Sequence, residues 1–254
     1  MWPELCRVGP FTLHTYGVIM AAAFVVAVGL ARAAAHDPRT LPALNEAAVL
    51  DWAVWAMFGG IIGGRLLYVL LNPTPYKVNP LEIVALWHGG LIWYGGLAGG
   101  VFATWWWLAR RRVGFLRGAD QLIPFVALGH AIGRIGCFAN GCCGGVPTDG
   151  WWGVTFPGSV QPVVPTQLLE SAALVTLYFL LRALQRPDML QRPGRIFGAY
   201  LIGYGLIRWA LECWRTNERL LFGWTLSQGI SALLVVIGVV LVTRWQPRRP
   251  ALNA

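Results

Sequence analysis

The feature that most constrains this chain is a succession of apolar runs, such as Val18–Leu30, Trp52–Ile62 and Ile230–Val242. Runs of this kind would be insoluble on a globular surface, and a membrane-crossing helix needs about 20 mostly apolar residues. Seven stretches qualify: residues 12–34, 49–71, 91–108, 120–140, 166–183, 195–215 and 226–243. The expected fold is therefore all-α, a polytopic integral membrane bundle formed by residues 1–254 as a single transmembrane domain. Composition agrees, because 12% of the residues are charged where soluble domains carry about 25%. Pro73, Pro75, Pro147, Pro162 and Pro165 fall in the expected loops, where a missing N–H costs little. Met1-Trp2-Pro3-Glu4 lacks a basic start and no A-x-A site ends a short apolar core, so the first span is expected to stay in the mature protein.

A formal charge of +9 raises the question of nucleic acid. The basic residues form no single stripe; they sit between apolar runs, as charges flanking membrane spans do. No nucleic-acid partner is expected. Their distribution sets the orientation instead. With the N-terminus outside and the C-terminus inside, thirteen face the cytoplasm: Arg32, Arg39, Arg110, Arg111, Arg112, Arg117, Arg182, Arg186, Arg192, Arg195, Arg244, Arg248 and Arg249. Four face outward: Arg7, Lys77, Arg215 and Arg219. Cytoplasmic loops carry the excess of Lys and Arg. The chain is expected as a multi-pass protein of the bacterial cytoplasmic (inner) membrane.

Three basic residues remain, Arg65, Arg134 and Arg208, and they lie inside the second, fourth and sixth spans. An arginine at the centre of a membrane helix costs about 2.5–3.5 kcal/mol on insertion scales. Each lies six or seven residues before the outer end of its span, which at about 1.5 Å per residue puts all three roughly 10 Å deep. Tyr16, Tyr94 and Glu170 reach the same zone from the opposite direction. Tyr204, Arg208 and Glu212 form an i, i+4, i+8 ladder, and His130 lies one turn below Arg134. The result is a polar pocket richer in positive than in negative charge, suited to an anion with a hydrophobic body such as an outer-leaflet phospholipid. The bland alternative is that the arginines brace the bundle through Glu170, Glu212 and helix-end carbonyls.

Glycines at small-xxx-small spacing, among them Gly59, Gly63, Gly95 and Gly99, let helix backbones approach closely. Gly89-Gly90 and Gly144-Gly145 lie at outer span ends, where backbone N–H groups can face a phosphate. Cys6, Cys137, Cys142, Cys143 and Cys213 all fall at or near the outer face, where disulfides persist. A structural disulfide within the C-x4-C-C segment is the leading reading, with packing next. Two cysteine pairs at zinc spacing are absent, so no metal is expected; a covalent cysteine nucleophile activated by Arg134 ranks last. No cofactor is expected.

Four segments together resemble one family. Trp87-His88-Gly89-Gly90-Leu91-Ile92-Trp93-Tyr94-Gly95-Gly96-Leu97 is similar to W-x-G-G-x-x-x-[HY]-G-G-L. Gly133-Arg134-Ile135-Gly136-Cys137-Phe138-Ala139-Asn140-Gly141 is similar to G-R-[IL]-G-N-F-x-N-G-E. Pro165-Thr166-Gln167-Leu168-Leu169-Glu170 resembles H-P-[ST]-Q-L-Y-E, and Gly203-Tyr204-Gly205 through Arg208 to Glu212 resembles G-Y-G-x-x-R-x-x-x-E. In order and spacing they resemble the prolipoprotein diacylglyceryl transferases across nearly the whole chain, with Tyr16-Gly17 and Gly64-Arg65 matching as well.

The resemblance implies transfer of the diacylglyceryl group of phosphatidylglycerol to the lipobox cysteine thiol of a preprolipoprotein. A thioether forms and glycerol phosphate leaves. The polar pocket suits this reaction: Arg134 and Arg208 are expected to hold the phosphate, with Arg65, Glu170, Tyr204, Glu212 and Gly145 completing the lipid site. Tyr94 or Tyr16 assists the thiol, and His130 or His88 can stand in as base. Ionising a free thiol of pKa about 8.5 at pH 7 costs only about 2 kcal/mol. Cys137 and Cys142 stand where familiar members carry Asn and Glu, Val164 replaces a histidine, and Leu169 replaces a tyrosine. The competing class is a non-catalytic protein that binds or transports anionic phospholipid on the same bundle. Transporters more often show internal repeats and interrupted midplane helices, and neither is evident. A purely structural membrane subunit ranks third, and the three buried arginines count against it.

Overall fold

The computed structural model describes residues 4–8, 11–37, 43–157, 159–218 and 223–244. Strands β1 (Glu4–Val8) and β2 (Phe11–His14) pair antiparallel and lead directly into helix α1 (Thr15–Ala35). The hairpin takes residues 12–14 out of the first expected span. Next come α2 (Glu46–Leu71) and the short α3 (Pro73–Val78), then two 3-10 turns at Pro80–Val84 and Leu86–His88. Five further helices are α4 (Trp93–Arg110), α5 (Phe115–Ala139), α6 (Thr166–Leu184), α7 (Pro187–Leu190) and α8 (Arg195–Glu212). Finally α9 spans Leu226–Thr243. Each of the seven expected spans coincides with one long helix.

Five of these, α1, α2, α5, α6 and α9, are long and apolar enough to cross a membrane. Helices α4 and α8 have 18 residues each and carry what lowers their hydropathy: Trp93, Trp105, Trp106 and Trp107 in α4, and Arg195, Arg208 and Glu212 in α8. The outer surface is apolar along the helices. Val25, Leu70, Phe102 and Phe179 are each more than 60% exposed, as suits a surface solvated by lipid. The protein is an all-α, multi-pass membrane bundle.

Helices α2 and α4 meet along a glycine seam. A Cβ on Gly63 would lie 2.4 Å from the Gly95 carbonyl oxygen, and one on Gly99 would lie 2.2 Å from that of Gly59. Only glycine permits that approach. Gly198 and Gly238 play the same part between α8 and α9, where a Cβ on Gly238 would be 2.6 Å from the Gly198 oxygen. Helix α5 is the most enclosed span and packs against α1, α6 and α8. Its first half is fixed by polar side chains. The Asp120 carboxylate accepts from the backbone N–H of Gly194 (2.6 Å) and Phe197 (2.7 Å), so it caps α8. Gln121 both donates to and accepts from the Leu44 backbone. Apolar packing of Ile123, Ala127 and Ala131 against Leu174, Leu177 and Leu181 continues this wall. The last two turns of α5 are thereby delivered to the place where α6 begins and α8 ends.

Candidate active site

At that junction Glu170 lies in the first turns of α6, with only 4% of its side chain exposed. Three basic side chains converge on it. Arg134 Nη2 stands 3.0 Å from Glu170 Oε2, Arg215 Nη2 stands 3.5 Å from the same oxygen, and His130 Nε2 is 3.7 Å from Oε1. Beside them Arg208 Nη2 pairs with Glu212 Oε2 at 2.9 Å. Glu212 Oε1 accepts from Asn217 Nδ2 and from Thr225 Oγ1, each at 2.7 Å, so this carboxylate also latches the end of α8 to the start of α9. Tyr204 extends the face: its ring stacks on Tyr200 at 5.8 Å and meets the His130 ring edge-on at 5.4 Å.

Three arginines thus share two carboxylates, which leaves one surplus positive charge before His130 is counted. Arg134 Nε, Arg208 Nη1 and Arg215 Nε are buried donors with no hydrogen-bond partner among the described residues. Buried donors normally find acceptors. A cluster with unused guanidinium donors, and more arginines than carboxylates, can hold an anionic oxygen group in geometry that guanidinium supplies well.

Arg215 is the member that sequence reasoning missed, because it was counted with the outer loop. The signal was present: Arg208, Glu212 and Arg215 fall at i, i+4 and i+7, one helical face. The helical turn continues past α8, with the Arg215 N–H bonded to the Glu212 carbonyl at 3.1 Å.

Arg65 has a different occupation. Its five N–H donors all reach backbone carbonyls: Nε to Ile83 (2.9 Å), Nη1 to Gly89 and to Gly90 (3.1 Å), and Nη2 to Glu82 (2.5 Å) and Ala85 (3.2 Å). Tyr68 and Tyr76 lie against its face. It organises the segment between α3 and α4, and no donor is left for a phosphate. Gly145 is likewise committed. Its N–H bonds the Val164 carbonyl at 2.9 Å, and a Cβ there would meet the Trp214 oxygen at 2.5 Å. Arg65 thus makes the helix-end carbonyl contacts of the bracing reading, and the Gly145 N–H is bonded to backbone.

The tyrosines separate too. Tyr16 packs over Gly136, where an added Cβ would touch its ring at 3.4 Å, and it lies within electrostatic reach of Arg134 and of Cys137, Cys142 and Cys143. Tyr94 is 54% exposed, its ring edge-on to Trp93. His88 pairs with Glu82 at 2.7 Å.

All five cysteines are free, so the expected disulfide is not formed. Instead the Cys137, Cys142 and Cys143 thiols gather within 4.8 Å of one another, and Arg134 Nη1 lies 3.7 Å from Cys137 Sγ. The turn that gathers them uses left-handed backbone at Gly141 (φ 75°) and Cys143 (φ 65°). It is pinned from α6 by two fully buried side chains: Thr166 Oγ1 donates to the Cys143 carbonyl (3.0 Å) and Gln167 Nε2 to that of Cys142 (2.6 Å). Hydrogen bonding from Cys137, and then from Cys142, pushes the Cys143 thiol down to about 5, with the Arg134 charge helping. Burial, and then the charge of Cys143, push Cys142 up.

An apolar cleft of about 320 Å³ opens between α1, α2 and α5, lined by Met20, Phe24, Trp52, Met57, Phe125 and Gly129 among others. Gly129 adjoins His130 in sequence, and Met20 covers Gly133 next to Arg134. The polar cluster and the apolar cleft therefore share the wall of α5.

Residues 3–244 match the family model described as prolipoprotein diacylglyceryl transferase. The chain is 36% identical over 247 residues to the phosphatidylglycerol–prolipoprotein diacylglyceryl transferase of Rhodospirillum rubrum, covering 94% of this chain and 90% of that protein. It is 36% identical to the protein of the same name from Verminephrobacter eiseniae, covering 98% and 95%. Against the Synechococcus elongatus protein of that name identity is 34%, covering 94% and 85%. With the family model matched from residue 3 to 244 and relatives of 34–36% identity covered along most of their length, the chain belongs to the prolipoprotein diacylglyceryl transferase family.

Proposed function

We propose that this protein transfers the diacylglyceryl group of phosphatidylglycerol to the lipobox cysteine of a preprolipoprotein, at the outer side of the bacterial cytoplasmic membrane. In this reading seven helices cross the membrane with the N-terminus outside. The observation that carries it is the surplus cation among Arg134, Arg208 and Arg215, with buried donors unused, beside an apolar cleft. A phosphodiester brings one negative charge and oxygen acceptors; its acyl chains take the cleft.

The chemistry follows from those positions. The acceptor thiolate attacks the glyceryl carbon that bears the phosphate oxygen; the S–C bond forms, the C–O bond breaks, and glycerol phosphate departs with the electron pair. Arg134 and Arg208 stabilise the charge that gathers on the leaving phosphate. One such preorganised donor is commonly worth about 3–4 kcal/mol. Glu170 keeps Arg134 and Arg215 at a fixed separation, and Glu212 does the same for Arg208. In this reading His130 receives the thiol proton, Tyr16 assists through its hydroxyl, and Tyr204 orients the His130 ring.

The test is direct. Full-length protein in detergent is incubated with glycerol-labelled and acyl-labelled phosphatidylglycerol and a lipobox peptide. The proposal expects acyl label and the corresponding mass gain on the peptide cysteine, with the headgroup label released. Lipid binding without transfer would refute it in favour of a carrier.

A further inference from the structure

The transferase reading gives no task to three cysteine thiols gathered next to Arg134. We propose that Cys137, Cys142 and Cys143 form a three-thiolate site for a soft metal ion of the copper(I) class. Three thiolates around one ion, at a metal–sulfur distance of about 2.3 Å, stand about 4.0 Å apart in a trigonal plane. The three sulfurs already lie within 4.8 Å of one another, so small side-chain rotations close the set.

The backbone is built for this convergence. Cys143 holds a left-handed φ of 65°, a conformation uncommon for residues other than glycine, asparagine and aspartate and found where the fold over-determines it. The Cys142 N–H bonds the Cys137 carbonyl at 3.1 Å, which folds the turn back on the last turn of α5. Thr166 and Gln167, fully buried at the start of α6, hold the Cys142 and Cys143 carbonyls from the other side. The thiols are thus presented by a turn fastened at both ends. Preorganised ligand sets of this kind are what metal sites require.

Ligand chemistry selects the ion. Thiolate ligands favour copper(I), zinc and iron–sulfur centres over hard cations. Structural zinc is almost always four-coordinate, and no fourth His, Cys, Asp or Glu joins this group among the described residues. Three-coordination is natural for copper(I). Arg134, 3.7 Å from Cys137 Sγ, lies against the excess negative charge of three thiolates around a monovalent ion and offsets part of it. Cys143 is exposed and supplies the way in. The site does not depend on the transfer reaction.

The probe is copper(I), offered anaerobically with ascorbate to the reduced full-length protein in detergent against a competing copper(I) chelator. One tightly held copper per chain is expected, with thiolate-to-metal absorption in the near ultraviolet. Cys137→Ser, Cys142→Ser and Cys143→Ser should each weaken binding by more than about 100-fold, beyond the 10–100-fold typical of losing an outer partner. Cys213→Ser should leave it unchanged. If a serine variant fails to fold, wild type decides alone: bound copper must protect Cys137, Cys142 and Cys143 from alkylation while Cys213 still reacts. Copper retention no greater than in the triple serine variant, equal protection of Cys213, or tight zinc binding without copper binding would each overturn the proposal. None of these readouts requires lipid, so its failure is separate from any failure of the transferase assay.

Discussion

Replacing Arg134 by glutamine separates the stability of the cluster from its chemistry. The substitution removes the 3.0 Å contact to Glu170. Breaking a buried pair by removing one partner commonly costs about 3–5 kcal/mol, because the survivor is left unpaired. Here the survivor is not alone: Arg215 at 3.5 Å and His130 at 3.7 Å still face Glu170. The stability loss should therefore fall below that range, near the ~1.5–3 kcal/mol of a hydrogen bond to a charged group. The kinetic loss has no such backup. A donor aimed at charge developing on a leaving group is worth about 3–4 kcal/mol, so transfer should fall on the order of 100-fold or more. Thermal unfolding in detergent and initial transfer rates per folded molecule measure the two effects independently. If Arg134→Gln unfolds close to wild type and transfers within about threefold of it, the phosphate-holding role is wrong.

Arg65→Gln should do the reverse: with five carbonyls released, thermal stability drops sharply, while transfer per folded molecule stays within about tenfold, less than the ~100-fold of a lost transition-state donor. Gly63→Ala places a methyl 2.4 Å from the Gly95 oxygen and should cost about 1–3 kcal/mol in unfolding. Gly60→Ala, whose nearest neighbour is 3.6 Å away, should be near neutral. A cytoplasmic reporter fused after Ala254 should be active and one inserted within residues 146–160 silent; the opposite pattern overturns the orientation. In copper-free protein at pH 6, iodoacetamide should label Cys143 before Cys142, since a thiol lowered to about 5 is already ionised there and a raised one is not. Equal labelling would refute that difference.

The spans were legible because an apolar run of membrane length permits one local answer, and α2, α6 and α9 end within a few residues of their expected limits. The site was legible only along one coordinate. Helical rise gives depth, and depth put Arg65 beside Arg134 and Arg208. It says nothing of which neighbour a side chain faces, so the carbonyls of residues 82–90 could not be foreseen as the partners of Arg65. Arg215 was hidden for a different reason: as the last residue of its expected span it was counted with the outward-facing charges rather than with the site. The cysteine spacing shows three thiols near one another in sequence. It does not show the left-handed turn at Gly141 and Cys143 that aims them at a common point rather than at a pairwise bond. Strand β2 takes residues 12–14, which the apolar run assigns to the start of the first helix.

Arg65 is satisfied by dipoles alone; none of the described carboxylates lies within ion-pair distance of it. Carbonyl oxygens meet its hydrogen-bonding needs without cancelling its charge, so a full unit of positive potential persists in a region of low dielectric. Added to the arginine surplus around Glu170, it contributes positive potential to the bundle beyond contact range. Potentials of this kind concentrate opposite charges before any specific bond forms. An arginine that touches no substrate can therefore still bias the lipids reaching the site, favouring anionic headgroups over zwitterionic ones. Substituting it would change how the rate depends on the anionic fraction of the membrane, even where the chemistry of a bound lipid is untouched.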